Sequence, residues 1–207
     1  MRTILNKFFL IFILPISVFS QGNDFQTWTS LSASKKIIKK TNLIIKQGVR
    51  FRENSSLYSK LFTDLKIKSK YNKHFSFAIG YRFSNDWDKQ LELSQKNRFY
   101  SDIYYKDKYK KRFLFDSRAR LQTQGNIEGY AATFRHKSAL AYNIPKTKLE
   151  PSVALEYFLP FESMLIEKLR YTMRLSHPIT KDLDAEIAYR IQQEFYTNNP
   201  ETLFIFE

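Results

Sequence analysis

The stretch HFSFAIGYRF at residues 74–83 alternates between an apolar side and a mostly polar side. Successive side chains of a β-strand point to opposite faces, so this period of two predicts an extended strand. One face carries five large apolar side chains, which are Phe75, Phe77, Ile79, Tyr81 and Phe83. The other face carries His74, Ser76, Ala78, Gly80 and Arg82. The stretch therefore predicts a strand that separates an apolar surface from a polar one.

Strand candidates continue along most of the chain. Nine more segments qualify, at residues 43–52, 57–69, 98–106, 112–121, 130–143, 149–159, 168–175, 183–194 and 202–207. Several have the about 9–11 residues with which a tilted strand crosses a bilayer. Together they predict an all-β, antiparallel transmembrane barrel. The sheet has to close on itself, because an open edge in hydrocarbon would leave backbone groups unpaired.

Two segments complicate the strand count. Residues 25–33 are an eleventh candidate, whereas bacterial membrane barrels have an even number of strands. Either this segment lies in the lumen or periplasm, or the count of ten is wrong, so we expect about 10–12 strands. The candidate at 202–207 is short, which predicts a truncated last strand.

The connections between the candidates differ in length. Short basic turns at 70–73, 106–111, 145–148 and 177–182 alternate with longer polar loops at 84–97, 122–130, 160–166 and 196–201. This arrangement is typical of outer-membrane barrels, with short periplasmic turns and longer extracellular loops.

The alternation of apolar and polar residues alone does not show which face of the strands contacts water. A soluble, lipocalin-like periplasmic carrier with an apolar interior gives the same alternation as a membrane barrel with an apolar exterior. Long strands, and aromatic residues near strand ends such as Phe75, Phe99, Tyr105 and Tyr142, favour the membrane barrel, because such residues form interfacial girdles.

The first twenty residues have the pattern of a secretory signal peptide. Arg2 and Lys7 precede an apolar run from Phe8 to Phe19, and Ser20 ends a plausible cleavage site. A transmembrane anchor is the alternative, but it needs about 20 apolar residues. We predict a signal peptide at residues 1–20 and a single barrel domain at 21–207.

Composition excludes several classes of function. The chain has no cysteine, which rules out disulfides, thiol catalysis and a lipoprotein anchor. The histidines lack partners at metal-ligand spacing, and no Gly-rich phosphate loop occurs, so we expect no metal and no cofactor. A net charge of +14 with many aromatic residues could suit nucleic acid, but export argues against that partner.

Five motifs resemble the outer-membrane proteins grouped as domain of unknown function 2490 (DUF2490). They are Asp24–Thr29, Gln47–Phe51, Lys96–Tyr100, Tyr189–Glu194 and Asn199–Thr202. The resemblance covers nearly the whole chain after the leader. It implies an exported β-barrel of Bacteroidetes type, and it supplies no activity, substrate or catalytic residue.

The polar faces of the strands place charges of both signs in the lumen. The predicted lumen residues are Lys46, Arg50, Arg52, Lys60, Asp64, Lys66, Arg82, Arg98, Asp102, Arg118, Arg120, Arg135, Glu156, Arg170, Arg174, Glu186, Arg190 and Glu194. In a small barrel such a set can form a salt-bridged plug that conducts nothing. The alternative is an arginine-lined pocket or narrow passage for small anions, because guanidinium groups bind carboxylate and phosphate.

An enzyme hypothesis starts from His136 and Ser138. Two residues apart on one strand, they share a face that should point to lipid, where a histidine could activate a serine. The spacing resembles the lipid A deacylases of the outer membrane. A triad needs a third member, however, and no carboxylate is clearly placed to orient His136. We therefore expect an outer-membrane barrel that is not an enzyme, with membrane lipids, lipopolysaccharide and the barrel-assembly machinery as partners.

Overall fold

The computed structural model describes residues 23–110, 112–180, 183–196 and 200–207. The predicted signal peptide lies outside these residues. They form eleven strands in one closed sheet, and no described helix is long and apolar enough to cross a membrane. The strands are β1 (Asn23–Ile38), β2 (Thr41–Arg52), β3 (Leu57–Lys70), β4 (Phe75–Trp87), β5 (Leu93–Tyr109), β6 (Phe113–Asn126), β7 (Gly129–Tyr142), β8 (Glu150–Pro160), β9 (Lys168–Pro178), β10 (Asp184–Glu194) and β11 (Thr202–Phe206).

Each strand pairs antiparallel with the next one in the chain, and the barrel closes through a parallel pair. β1 and β11 pair from Asn23 opposite Thr202 to Thr27 opposite Phe206. With an odd number of alternating strands, the first and the last run in the same direction, so their pairing must be parallel. The closed all-β barrel is confirmed. Of the two alternatives for residues 25–33, the structure supports the second: they belong to the wall as part of β1, which brings the count from ten to eleven strands.

The apolar face of the strands points outward. On β4, Phe77 and Ile79 are 46% and 65% exposed, whereas Ala78 between them is 5% exposed. Charged side chains such as Asp102 and Arg120 are buried inside. A lipocalin-like carrier requires the opposite arrangement, with an apolar interior and a polar exterior, which the described strands do not have.

The two ends of the barrel carry connections of similar length. They span two to seven residues at both ends, so the predicted contrast between short turns and long loops is small. The cause is that β4, β5 and β6 continue through segments that are polar on both faces, at 84–86, 94–97 and 122–126. Alternation disappears where both faces are polar, although backbone pairing continues.

Two inward-facing glycines let aromatic rings lie across the lumen. Gly80 lies opposite Tyr100 and Gly48 opposite Phe62. A Cβ atom at either glycine would overlap the ring of its partner. The absence of a side chain at these positions therefore allows Tyr100 and Phe62 to fill interior space against the wall.

Candidate functional site

The lumen is held together by three buried carboxylates near the middle of their strands. The most buried is Asp102 on β5, which is 1% exposed. Arg120, directly opposite on β6, donates to it from Nε at 2.6 Å and from Nη2 at 2.8 Å. The Tyr104 hydroxyl donates to Oδ2 at 2.7 Å. Asp102 thus neutralises the charge of Arg120. The two hydrogen bonds give the bidentate geometry, which is the stronger form of an arginine–carboxylate pair.

The second carboxylate, Asp64 on β3, repeats this arrangement. Arg82 lies opposite on β4 and donates from Nε at 2.8 Å. The Tyr100 hydroxyl donates at 2.6 Å to the other carboxylate oxygen. The Tyr100 ring also packs directly against Gly80. Both this packing and the hydrogen bond to Asp64 therefore hold the Tyr100 side chain in place.

The third carboxylate, Glu156 on β8, collects three arginines. Arg118 and Arg135 donate to Oε1 at 2.5 and 2.8 Å, and Arg170 donates to Oε2 at 3.4 Å. Glu156 is 4% exposed, so the carboxylate lies away from water, whereas Arg118 is partly exposed. We call these three carboxylates with their arginines the central ion network.

Aromatic rings stack on the guanidinium groups and fill the space between the ion pairs. Such cation–π contacts add attraction where water is excluded. The distances from the guanidinium carbon to the ring centre are 3.8 Å for Arg120 over Tyr100, 4.1 Å for Arg82 over Phe62 and 4.3 Å for Arg135 over Phe158. Rings and guanidinium groups together take up interior space beside the central ion network.

Two of the other predicted lumen arginines have individual partners. Arg98 donates from Nε to the Gln124 amide oxygen at 2.8 Å. Arg174 donates to Glu186 at 3.2 Å, but the Glu186 side chain is 53% exposed and is therefore largely hydrated.

The other predicted lumen residues Lys46, Arg190 and Glu194 also form ion pairs between strands. Arg190 is hydrogen-bonded to Glu207, which also contacts Lys46 at 3.6 Å. Glu194 accepts from the Lys168 ammonium at 2.6 Å. The side chains of these pairs are more exposed to solvent than those of Arg120 and Asp102 in the central ion network.

Arg50 and Arg52 lie on β2, at the end of the barrel where β2 meets the β2–β3 connection. Arg50 borders the central ion network, because it shares the Trp28 ring with Arg170 and the Phe62 ring with Arg82. Arg50 and Arg52 border a cavity of about 410 Å³ together with Lys60, Asp86 and Lys96. We call this cavity the mouth pocket. Its remaining lining comes from Gln26, Ser59, Trp87, Asp88, Glu92, Leu93 and Ser94.

The cations of the mouth pocket exceed the carboxylates available to them. Asp86 Oδ2 lies 2.7 Å from the Lys60 ammonium and 3.7 Å from that of Lys96. Arg50 stacks over the Trp28 ring at 3.6 Å. Among the described residues, Arg50 Nε and Arg52 Nε and Nη2 have no hydrogen-bond partner. Within the described part of the chain, the guanidinium groups of Arg50 and Arg52 therefore form no ion pair with a carboxylate.

Several residues of these sites were missed in the sequence. Tyr100 and Tyr104 share the inward register of Asp102, so the alternation of β5 contained the signal. Lys96 and Asp86 were assigned to a loop, because their segments do not alternate.

His136 and Ser138 lie on the outward face of β7, as predicted from their spacing. The partner of His136 is different from the one expected: its Nε2 lies 3.0 Å from the hydroxyl of Ser117 on β6. Its ring also lies 5.5 Å from that of Tyr157. Within the described residues, no ion pair joins His136 to a carboxylate, and no group of three or more His, Asp or Glu could hold a metal.

Fold and site together define a closed β-barrel with an ionic interior and an apolar exterior. The chain belongs to the family described as protein of unknown function (DUF2490), whose model matches residues 25–202. The family predicted from the five motifs is thereby confirmed. No curated protein and no solved structure matches the chain.

Proposed function

We propose that this protein is a bacterial outer-membrane β-barrel whose lumen binds small anions and does not conduct them. The observation that carries the proposal is the orientation of the wall, with its apolar side chains outside and its charges inside. An apolar exterior of this extent is stable in hydrocarbon and would drive aggregation in water.

The outer surface also has the layered chemistry of a membrane barrel. Phe75, Tyr105 and Phe115 form a chain of ring contacts at one end, with centroid distances of 5.2 and 6.3 Å. At the other end Tyr58 contacts Phe51 and Trp87 at 5.8 and 4.6 Å. Aromatic residues at two levels, with Ile79 and other aliphatic residues between them, match the two interfaces of a bilayer.

The interior supports binding over passage. Barrels of about eight strands are filled by side chains, and those of 16–18 leave an aqueous channel. Eleven strands enclose an intermediate width, which here is crossed by arginines and aromatic rings. Buried bidentate pairs such as Arg120 with Asp102, with the rings packed against them, take up interior space that a water-filled passage would need.

Expression with residues 1–20 followed by fractionation tests the location. We expect the protein in the outer membrane with a gel mobility that changes on boiling, as closed barrels show. A soluble periplasmic product without that change would contradict the proposal. Planar bilayers should show no stepwise conductance, whereas steady anion-selective channels would favour the passage.

A second candidate is a hydrolase of lipid substrates at the outer face, because the Ser117–His136 hydrogen bond provides a serine beside a base. Neighbouring Ser138 borders an apolar groove of about 410 Å³ that could hold an acyl chain. This candidate requires deacylation of lipopolysaccharide that is lost on His136→Ala. No deacylation, or activity unchanged by the substitution, would remove it.

A further inference from the structure

We propose that the mouth pocket binds the phosphate group of a small water-soluble solute. This inference rests on the proposed binding function and gives it a site and a ligand class. The pocket lining has four cationic side chains, Arg50, Arg52, Lys60 and Lys96.

The acidic side chains of the mouth pocket do not neutralise its arginines. Asp86 is engaged by two lysines. Asp88 accepts from the backbone amides of Gln90 and Glu92 at 2.9 and 2.8 Å, so it caps the β4–β5 connection. Glu92 is exposed at the rim. Within the described residues Arg50 and Arg52 have no ion-pair partner, and a buried guanidinium without a counterion is costly, so an anionic ligand would supply the missing counterion.

The cations reach the pocket from three strands. Arg50 and Arg52 come from β2, Lys60 from β3 and Lys96 from β5. Donors that converge from several directions suit a tetrahedral phosphate with its oxygens spread in space, whereas a planar carboxylate is met by a single fork.

The size and position of the pocket indicate a soluble ligand. A cavity of about 410 Å³ falls in the range of small-molecule sites and exceeds the needs of a bare phosphate ion. The cations lie on inward-facing positions of the wall, so a lipid headgroup anchored in the surrounding bilayer would not reach them. The phosphate is therefore carried by a solute that enters from the aqueous end.

The connection beside Arg52 is held in an unusual conformation. Glu53, Asn54 and Ser55 all have positive φ, at 52°, 55° and 64°, which is uncommon for three consecutive residues other than glycine. The Asn54 amide donates to Asp24 at 2.9 Å, and the Ser55 and Thr27 hydroxyls lie 2.7 Å apart. These contacts with β1 fix the chain next to the pocket, which preorganises Arg52.

Calorimetric titration of the folded barrel in detergent, at constant ionic strength, tests the proposal. Inorganic phosphate and glucose 6-phosphate are the two probes. We expect saturable binding of both, with the ester at least as tight. Arg52→Gln should weaken it by about tenfold or more, the effect of losing one charge-assisted contact. Arg174→Gln is the matched control, because it removes the same charge from the lumen away from the mouth pocket.

The outcomes separate this site from the membrane assignment. Absence of saturable binding, or equal weakening by both substitutions, would overturn the site, since the second result reflects net charge alone. If Arg52→Gln does not fold, Lys96→Gln takes its place. Phosphate binding by a barrel absent from the membrane would contradict only the proposed location, and a membrane barrel without phosphate binding would contradict only the site.

Discussion

In the central ion network Arg120 donates to both oxygens of Asp102, whereas at the mouth Arg52 Nε and Nη2 have no partner within the described residues. Both arginines face the interior of the same wall. The network arginines are all matched by carboxylates. Arg82, Arg120 and Arg170 lie opposite theirs in the strand register, and Arg118 and Arg135 reach Glu156 from other positions. Within the described residues, the mouth arginines Arg50 and Arg52 have no ion-pair partner, so an external anion would have to neutralise their charge.

The difference between the central ion network and the mouth pocket can be tested through the free energy of unfolding. A paired buried charge is destabilising to separate, because its partner is left uncompensated. An unmatched charge destabilises the folded protein until a ligand arrives. Substitutions in the two regions should therefore change the free energy of unfolding in different directions.

The largest effect is expected for Glu156→Gln. This change leaves Arg118, Arg135 and Arg170 without their shared carboxylate. Breaking a buried ion pair typically costs about 3–5 kcal/mol, and we expect a loss of that order in urea unfolding of the lipid-reconstituted barrel. Glu186→Gln, at the exposed partner of Arg174, is the control and should cost at most about 1 kcal/mol. Equal effects of the two changes would remove the distinction between buried and exposed pairs.

A smaller effect is expected for Gly80→Ala, which tests packing in the network. The new methyl group would displace the Tyr100 ring and weaken its hydrogen bond to Asp64. Overpacking of this kind costs about 1–3 kcal/mol. Gly129→Ala is the control, because a Cβ there meets no atom within 4 Å. A stability for Gly80→Ala as high as that of the control would show that Tyr100 is not fixed in place.

Arg52→Gln should change stability by less than about 1 kcal/mol without ligand, and in the stabilising direction. The reason is that it removes an unmatched charge from the mouth pocket. Saturating phosphate should then stabilise the wild type more than the variant, which thermal unfolding with and without phosphate measures. A marked destabilisation by Arg52→Gln in the absence of phosphate would mean that Arg52 has a structural partner.

The smallest effect concerns the exposed pair of Glu53 and Lys89 at the rim, 2.8 Å apart. The hydrogen bond from Lys89 lowers the pKa of Glu53 below its ordinary 4.5, and the same bond raises the pKa of Lys89 above 10.5. The pair therefore contributes to the free energy of unfolding at pH values where Glu53 is ionised and Lys89 is protonated. It is lost as pH falls through the lowered pKa of Glu53.

Urea midpoints at two pH values check this prediction. Glu53→Gln should lower the midpoint slightly at pH near 7, and wild type and variant should coincide at a pH below the pKa of Glu53. A difference that persists in acid would show that the carboxylate charge is not its source.

The strand pattern could be predicted because lipid and lumen impose opposite chemistry on alternate residues. At residues 74–83 this contrast is complete, and β4 contains nearly the whole stretch. At 84–86 the side chains on both faces of β4 are polar, so alternation no longer marks the strand and its end was not predicted. The parallel pairing of β1 with β11 depends on the total number of strands, which local patterns do not contain.

The site was harder to predict than the wall. Inward positions follow from alternation, so the identity of the lumen charges was accessible. Their partners depend on register between strands, as for Asp102 opposite Arg120. The same limit applies to His136, whose hydrogen bond to Ser117 joins two strands, whereas the sequence suggested Ser138 on its own strand.

The most direct test of the account is the environment of residue 79 in reconstituted vesicles. The chain has no cysteine, so a spin label on Ile79→Cys is unambiguous, and Ser76→Cys on the opposite face is its control. If the apolar wall faces the bilayer, the label at 79 will collide more with oxygen, which concentrates in lipid, than with a polar nickel chelate, and the label at 76 will show a lower ratio. A label at 79 that meets the chelate more often than oxygen would contradict an apolar wall facing the bilayer.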